Sequence, residues 1–342
     1  MTVLSEADGA EGATSPDPSG VELRLERFRV ELIGYCYRML GSAFEAEDAV
    51  QETLMRAWRS LDRFDEDRAS LRSWLYTIAT SICLDMLRAE QRRARAMDLG
   101  PAASAGAELG APLPERAWVL PIPDGRALPA GGDPAELAAQ RETIRLAFVA
   151  ALQHLPPRQR AVLILRDVLC WKADEVARLL GTTVASVTSA LQRARAVLKA
   201  LHVALAEPFQ PMSQAQQQLL ARYCDAFERY DVQALVSLLH EDATMSMPPF
   251  SWWLRGRADI RRALLAAGRP CEGARLVPTV ANGSPAYAQY RPRGPRGDYE
   301  PFALIVIELS DGLISETTTY LDAERLFPLF GLPTGAEAVV SP

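Results

Sequence analysis

The chain has 342 residues, which is too long for one ordinary domain and favours two or three compact units joined by linkers. Its formal net charge of −6 excludes a protein coated with positive charge, although a local basic segment remains compatible with that total. The five cysteines and three histidines are scattered without close pairs, so we expect no disulfide framework, no metal site and a reducing cytosol.

The N-terminal segment, residues 1–22, is acidic and rich in small residues, Pro and Gly, which predicts a disordered tail. It lacks the basic and apolar pattern of a signal peptide, and no later apolar run is long enough to cross a bilayer. The sequence therefore predicts a soluble, cytoplasmic protein with no membrane partner.

Residues 23–95 carry the apolar spacing of an all-helical unit. Around position 50 the pattern predicts that Val50, Leu54 and Trp58 face inward. The opposite face is an acidic ridge that suits a basic partner, and an ordinary solvated face is the alternative. Its polar side chains are Asp48, Gln51 and Glu52.

Residues 96–133 contain many Pro, Ala and Gly residues, so we expect a linker without regular elements. The apolar strip Trp118–Asp124 interrupts this composition. A free linker has little reason to expose such a strip, which favours docking on a partner over local packing.

A second all-helical unit is predicted over residues 134–205, with a helix-turn-helix near its end. Ala173–Gly181 has the pattern of a short helix that ends at glycine, and Thr182 or Thr183 suits the cap of the next helix. The inward face of that helix would carry Val184, Val187, Leu191 and Leu198. The side chains left for solvent or DNA are Ser186, Thr188, Ser189, Gln192, Arg193 and Arg195.

Basic residues outnumber acidic ones between positions 158 and 199, so this acidic protein contains a locally positive module. A helix-turn-helix with such a charge suits the major groove of DNA. A helical hairpin with a solvated charged face is the alternative.

After residue 212 the sequence pattern changes from all-helical to α+β, and this pattern continues to about residue 332. Two helix-like stretches, residues 214–230 and 232–239, are followed by strand-like runs at 286–290, 302–308 and 313–321. The predicted fold class is therefore multidomain, with two all-α domains and a C-terminal α+β domain.

Two separate segments resemble the extracytoplasmic-function sigma factors of the sigma-70 family, and they stand in the family's order. The stretch Ala46–Trp58 is similar to the helix with which such factors bind the β′ clamp of core RNA polymerase. The resemblance implies polymerase contacts, to the β′ clamp and the β flap, and promoter DNA as the second partner. The implied polymerase-binding residues are Asp48, Gln51, Glu52 and Arg56.

The stretch Phe64–Arg88, with the basic run after it, resembles the family's promoter-melting region. A loop near Asp67 would hold an unstacked base, and the basic run would hold phosphates. Ser81 departs from the usual Asn, and Thr188 and Ala190 depart from the basic residues common in the recognition helix. The DNA-binding residues implied here are Asp67, Arg68, Ser70, Trp74, Ser81, Arg88, Arg92 and Arg93. Trp74 suits the core as well as DNA.

Residues 212–332 resemble the SnoaL-like domains, whose α+β cone encloses a pocket. The residues proposed for a pocket or an interdomain contact are Met245, Met247, Trp252, Trp253, Arg255, Tyr290 and Phe302, with Tyr320 as a further pocket residue. No convergent acid-base set is visible, so we expect no enzyme, no cofactor and an unidentified ligand if there is one.

The favoured function is a sigma factor with a regulatory C-terminal domain. One alternative is a ligand-responsive helix-turn-helix regulator, which would leave the acidic ridge near position 50 unexplained. The other is a SnoaL-type isomerase fused to a DNA-binding arm.

Overall fold

The computed structural model describes residues 18–88, 92–131, 133–201, 212–293 and 298–334. Residues 1–17 of the predicted tail lie outside these ranges, and the prediction of disorder is wrong for residues 18–22, which belong to the first helix. The described chain forms two helical domains, a segment that connects them, and a mixed α+β domain.

The first helical domain begins with short-range signals that set its helix ends. Gly41 has a φ of 74° and ends one helix, and the Ser42 side chain then accepts a hydrogen bond from the Glu45 amide to start the next. Ser70 caps the last helix in the same way through the Ser73 amide. The elements are α1 (Pro18–Glu26), α2 (Arg29–Leu40), α3 (Ala43–Arg59), a 3-10 turn (Leu61–Arg63) and α4 (Leu71–Met86).

The connecting segment, residues 96–133, is more ordered than its composition predicts. It contains α5 (Ala96–Leu99), a 3-10 turn (Glu115–Ala117) and α6 (Asp124–Ala127), so the expectation of no regular element is wrong. The expectation that the apolar strip docks on an outside partner is also wrong for this structure. Its side chains pack inside the chain, because both neighbouring domains offer apolar surface to them; Trp118, Val119, Leu120 and Ile122 are all buried.

The second helical domain contains the predicted helix-turn-helix. Its elements are α7 (Pro134–Glu142), α8 (Leu146–Leu152), α9 (Pro157–Leu163), a π turn (Ile164–Val168), α10 (Ala173–Leu179) and α11 (Val184–Ala200). Thr183 caps α11 by accepting from the Ser186 amide, which confirms the predicted start. Val184 was expected inside but is 46% exposed, because it is the first residue of α11 and lies beyond the packed turns.

The C-terminal domain is a six-stranded sheet with helices. Its helices are α12 (Gln214–Glu228), α13 (Val232–Ser237), α14 (Arg257–Ala266) and α15 (Ala323–Leu329). Its strands are β1 (Leu239–Ser246), β2 (Trp253–Arg255), β3 (Arg275–Ala281), β4 (Ser284–Arg293), β5 (Asp298–Ser310) and β6 (Leu313–Tyr320). The strand order is β2-β1-β6-β5-β4-β3, in which β1 and β6 pair in parallel and the other neighbours are antiparallel.

The two faces of this sheet bury different partners. Tyr287 and Ile305 lie in a core with α12, α13 and α14, whereas Ala286, Leu304 and Val306 join the core of the helical domains. This division follows from the strand geometry, since successive side chains point to opposite faces. The sheet is therefore covered on both faces, and one of those covers is the rest of the chain.

The turn between β3 and β4 is the junction of all these parts. Asn282 and Gly283 both have positive φ angles, 56° and 71°, as a two-residue hairpin turn of type I′ requires. The Asn282 side chain is buried, and its Oδ1 accepts from the Ile122 amide at 2.9 Å. Its Nδ2 donates to Tyr37 Oη and to the Ile144 carbonyl, both at 2.6 Å. One side chain thus bonds the first helical domain, the connecting segment and the second helical domain.

Two buried arginines bind the helical domains directly to each other. Arg38 of α2 donates to Thr143 Oγ1 at 2.9 Å and to the Gln140 carbonyl at 3.0 Å. Arg160 of α9 donates to the Met39 carbonyl and to Gln153 Oε1. Burial lowers the pKa of Arg160 to about 10, which leaves the guanidinium charged at neutral pH. Each guanidinium donates to oxygen acceptors of the other helical domain, so separating the domains breaks these hydrogen bonds.

We expect Asn282→Ala to destabilise the full chain by about 3 kcal/mol more than Asp311→Ala. Asp311 is the matched control, because it has a φ of 52°, precedes Gly312 in the β5–β6 turn and is exposed. Both variants place alanine at a positive φ, but only the first leaves buried groups without partners. Chemical denaturation measures the difference, and equal losses would contradict the role of Asn282.

Candidate functional site

The predicted acidic ridge lies on the outer face of α3. Asp48 and Gln51 are exposed, while Glu52 is half-buried and accepts from Arg56 Nε at 2.6 Å. The four residues share one face because they are spaced by three or four positions. This face is accessible in the domain arrangement described above.

A groove of about 420 Å³ runs beside this ridge between α1 and α3. Leu25, Leu54, Met55 and Trp58 supply its apolar wall. Trp58 was expected inside but is 55% exposed, because it lines the open groove beside α1, and Met55 in the same wall is 40% exposed. Large exposed apolar side chains beside a polar ridge are typical of a protein-binding surface.

The predicted promoter-melting loop lies in a cleft of about 500 Å³ between the two helical domains. One wall contains Asp67, Arg68, Ser70 and Trp74, and the other is formed by α10. Trp74 is half-buried and stacks on Phe64 with ring centroids 4.8 Å apart, which agrees with a packing role. The α10 residues that complete the cleft are Glu175, Arg178 and Leu179.

Below this cleft, aromatic side chains join α4 to the second helical domain. The rings of Tyr76 and Trp171 are 4.9 Å apart, and the Arg72 guanidinium lies 5.1 Å from the Trp171 ring. Arg72 also donates to Glu31 Oε1 at 2.6 Å. Ser81, on the same helix, is exposed.

The basic run after α4 divides into exposed and buried members. Arg88 is exposed and forms an ion pair with Asp85, and exposed Arg92 donates to His154 Nδ1 at 2.9 Å. Burial and the nearby Arg92 lower the pKa of His154, which favours the neutral ring that can accept this bond. The DNA role expected for Arg93 is wrong for this structure, because its side chain is only 3% exposed. Its partners are Glu45 and the carbonyls of Glu115 and Trp118.

The predicted recognition helix, α11, presents its predicted DNA-facing side to solvent. Arg195 is exposed but is held by Asp167 of the π turn through bonds of 2.6 and 2.8 Å. Thr188 donates to the Val184 carbonyl at 3.0 Å, so its hydroxyl is partly engaged. All the predicted DNA-facing residues of this helix are exposed, namely Ser186, Thr188, Ser189, Gln192, Arg193 and Arg195.

The residues proposed for a pocket in the C-terminal domain lie in different surroundings. Met245 and Trp252 pack in the core between the sheet and its helices. Met247 is half-buried. The ring centroid of Phe302 lies 3.1 Å from the guanidinium carbon of Arg291. Tyr290 was placed in the pocket, but it lies on the opposite face of the sheet, 5.2 Å from the ring of Phe327.

Trp253 and Arg255 also differ in their roles. Trp253 Nε1 donates to the Gly100 carbonyl at 2.9 Å, so this side chain does contact the connecting segment. Arg255 was expected at the same interdomain contact, but its ion-pair partner is Asp242 of its own domain, at 3.4 Å. The side chains of Arg255 and Asp242 are both exposed, and this exposure does not suit Asp242 as a base inside an apolar cavity. The pocket residue Tyr320 is buried and donates instead to the Val119 carbonyl at 3.1 Å.

Sequence reasoning missed the residues that hold the domains together. Asn282, Arg38 and Arg160 were not among the candidates, because their partners are distant in the sequence. One signal was available: Asn282 is the only asparagine in the chain, and Asn-Gly is the strongest short-range hairpin signal.

Two further properties concern only the described part of the chain. No group of three or more His, Cys, Asp or Glu side chains there is arranged to hold a metal ion. None of the helices described combines the length and apolar character needed to cross a bilayer.

Comparison with known families identifies three segments. Residues 25–93 match Sigma-70 region 2, residues 145–198 match Sigma-70 region 4, and residues 220–317 match the SnoaL-like domain. These matches coincide with the three domains described above, and they leave the connecting segment between the first two.

Individual relatives agree with these matches. The ECF RNA polymerase sigma factor SigG of Mycobacterium tuberculosis is 43% identical over 338 residues, which cover 97% of this chain and 89% of the relative. SigJ of the same organism is 31% identical over 221 residues, 65% of this chain and 62% of SigJ. The crystal structure of M. tuberculosis SigJ superposes with a TM-score of 0.57 at 22% identity, covering 90% of this chain and 98% of that one, and therefore shares its fold. The chain thus belongs to the extracytoplasmic-function RNA polymerase sigma factors and carries a SnoaL-like domain after its two sigma domains.

Proposed function

We propose that this protein is a cytoplasmic sigma factor that binds core RNA polymerase and directs it to promoter DNA. Its SnoaL-like domain regulates this activity by holding the two sigma domains together in a closed state. The observation that carries the proposal is the buried Asn282 side chain, which bonds both sigma domains and the segment between them. Sigma factors are not enzymes, and the exposed Asp242–Arg255 pair offers no support for turnover in this domain.

The polymerase contacts belong to α3. Asp48, Gln51, Glu52 and Arg56 form the polar part of the surface that binds the β′ clamp, and Trp58 with Met55 forms an apolar part beside it. A ligand-responsive repressor has no need of such a surface, so the exposed Trp58 favours the sigma function over that alternative. The second sigma domain binds the β flap.

The DNA contacts belong to two elements that the closed state keeps close together. The loop Asp67–Ser70 captures an unstacked base, and α11 reads duplex DNA in the major groove. Arg88 and Arg92 add phosphate contacts near the loop. Leu179 lines the cleft beside the loop, and five residue steps to Val184 span at most about 18 Å.

This closeness explains how the SnoaL-like domain regulates activity. Promoter elements more than one helical turn apart, about 34 Å, require the two sigma domains to separate. Separation breaks the hydrogen bonds of Asn282 and uncovers the cleft wall formed by α10. The closed state is therefore inactive in promoter melting, and loosening it raises activity.

We expect Asn282→Ala to increase run-off transcription by core polymerase, with Asp311→Ala remaining at the wild-type level. Removing the residues after Pro208 should increase it as well, because the hairpin that carries Asn282 is then absent. Run-off assays with purified core polymerase measure both effects. No transcript with any variant would refute the sigma function, and equal transcript from all would refute the regulation.

Trp58→Ala should weaken binding to core polymerase about tenfold or more. The Trp58 ring is exposed in the free protein and becomes buried in the complex, and alanine cannot make that contact. Leu265→Ala is the control, since Leu265 is an equally exposed apolar residue on α14 of the C-terminal domain. Binding of labelled sigma to core polymerase gives the dissociation constants. Equal affinities of the two variants would place the polymerase elsewhere on the molecule.

Arg193→Ala should weaken binding of the full chain to duplex DNA and reduce the slope of log K against log salt by about 1, because one phosphate contact is lost. The effect does not require opening, since α11 is exposed in the closed state. Arg222→Ala removes an equivalent exposed charge from α12 and should leave the slope unchanged. A slope unaffected by Arg193→Ala would remove that residue from the DNA-binding surface.

A further inference from the structure

Two carboxylates lie side by side on the sheet face that packs against the sigma domains. Glu308 of β5 and Glu316 of β6 are directly opposite each other in the antiparallel register, and each side chain is 17% exposed. Like charges in this position destabilise a sheet. Burial raises the pKa of Glu308, and the charge of Glu316 raises it further. The pair therefore needs positive partners.

Those partners come from outside the C-terminal domain. Arg145, between α7 and α8, forms an ion pair with Glu308 and opposes the rise in its pKa. Arg95 Nη1, just before α5, lies 3.7 Å from Glu316 Oε2. Hydroxyl groups complete the site, since Ser284 donates to Glu308 at 2.8 Å and Thr318 donates to Glu316 at 3.2 Å. The sheet thus offers a built site for two guanidinium groups.

Arg95 belongs to the basic run that follows the promoter-melting helix. Arg88 and Arg92 of this run are exposed, and Arg93 is buried within the first sigma domain and its connecting segment. Arg95 is 25% exposed, and its ion-pair partners are Glu316 and Asp98. It is the member of the run that the C-terminal domain holds.

We propose that Glu316, held beside Glu308, imitates a DNA phosphate and competes with the backbone of single-stranded promoter DNA for Arg95. The proposal rests on the proposed function, which supplies the DNA. A carboxylate and a phosphate oxygen accept guanidinium N–H groups in the same geometry. A strand that takes Arg95 leaves Glu316 facing Glu308 without its counter-charge, so DNA binding weakens the closed state. The coupling is reciprocal, and the closed state weakens DNA binding by the same factor.

The test uses the full chain without polymerase and a fluorescent single-stranded oligonucleotide, titrated at several salt concentrations. Glu316→Gln should bind several-fold more tightly at low salt, with a slope of log K against log salt steeper by about 0.7, the value for one added phosphate contact. Glu300→Gln is the matched control, because Glu300 is an exposed carboxylate of β5 whose ion-pair partner is Arg293 of β4 in the same domain. It should behave as the wild type, and identical slopes for both variants overturn the proposal.

A double mutant distinguishes the release of Arg95 from Glu316 from a general loosening of the fold. Arg95→Ala should change DNA binding little in the wild-type background, where Glu316 already holds the side chain, and should abolish the gain in Glu316→Gln. A gain that survives in the double mutant overturns the proposal, because other contacts then supply it. Thermal unfolding checks that each variant is folded, and Glu316→Ala replaces Glu316→Gln if the latter is not. Run-off transcription by Asn282→Ala, the variant expected to open, tests the proposed function separately, so the two failures are distinguishable.

Discussion

One buried amide joins every part of the closed arrangement, because the Asn282 side chain uses all its polar atoms on three different parts of the chain. Its oxygen accepts a hydrogen bond from the Ile122 amide, and its two N–H groups donate to Tyr37 Oη and to the Ile144 carbonyl. A buried group that loses its partner costs about 1–3 kcal/mol, so a partial opening is penalised at each remaining contact. The bonded parts therefore separate together rather than one by one.

The same residue is also constrained by its backbone. A two-residue hairpin turn of type I′ needs positive φ at both positions, which Asn and Gly adopt at little cost. The turn is further fixed from outside, since the Gly283 amide donates to Asp124 Oδ1 at 2.8 Å. Burial raises the pKa of Asp124, and this hydrogen bond opposes the rise. Any other residue type at position 282 loses the turn geometry, the side-chain bonds, or both.

The sequence predicted the elements whose signals are local and missed the contacts that join distant segments. Caps and periodicity were enough for α11, since Thr183 and the spacing of Val187 and Leu191 lie within one helix. Periodicity does not say what lies opposite a face, so Trp58 was placed inside although α1 leaves it uncovered. The sequence is equally unable to tell a buried arginine from an exposed one. Arg93 and Arg88 are close in the sequence, and only Glu45 and the buried strip make the first of them structural.

The accessible and covered surfaces set an order for the proposed activation. The face of α3 proposed to bind polymerase is open in the closed state, whereas the loop proposed to melt the promoter shares its cleft with α10. A partner shifts an equilibrium only through a difference in affinity between the two states, and each tenfold preference supplies about 1.4 kcal/mol. A contact made to α3 alone is the same in both states, so it recruits the protein without opening it. Opening requires a contact that exists only after separation, such as the second sigma domain placed at a distant promoter element.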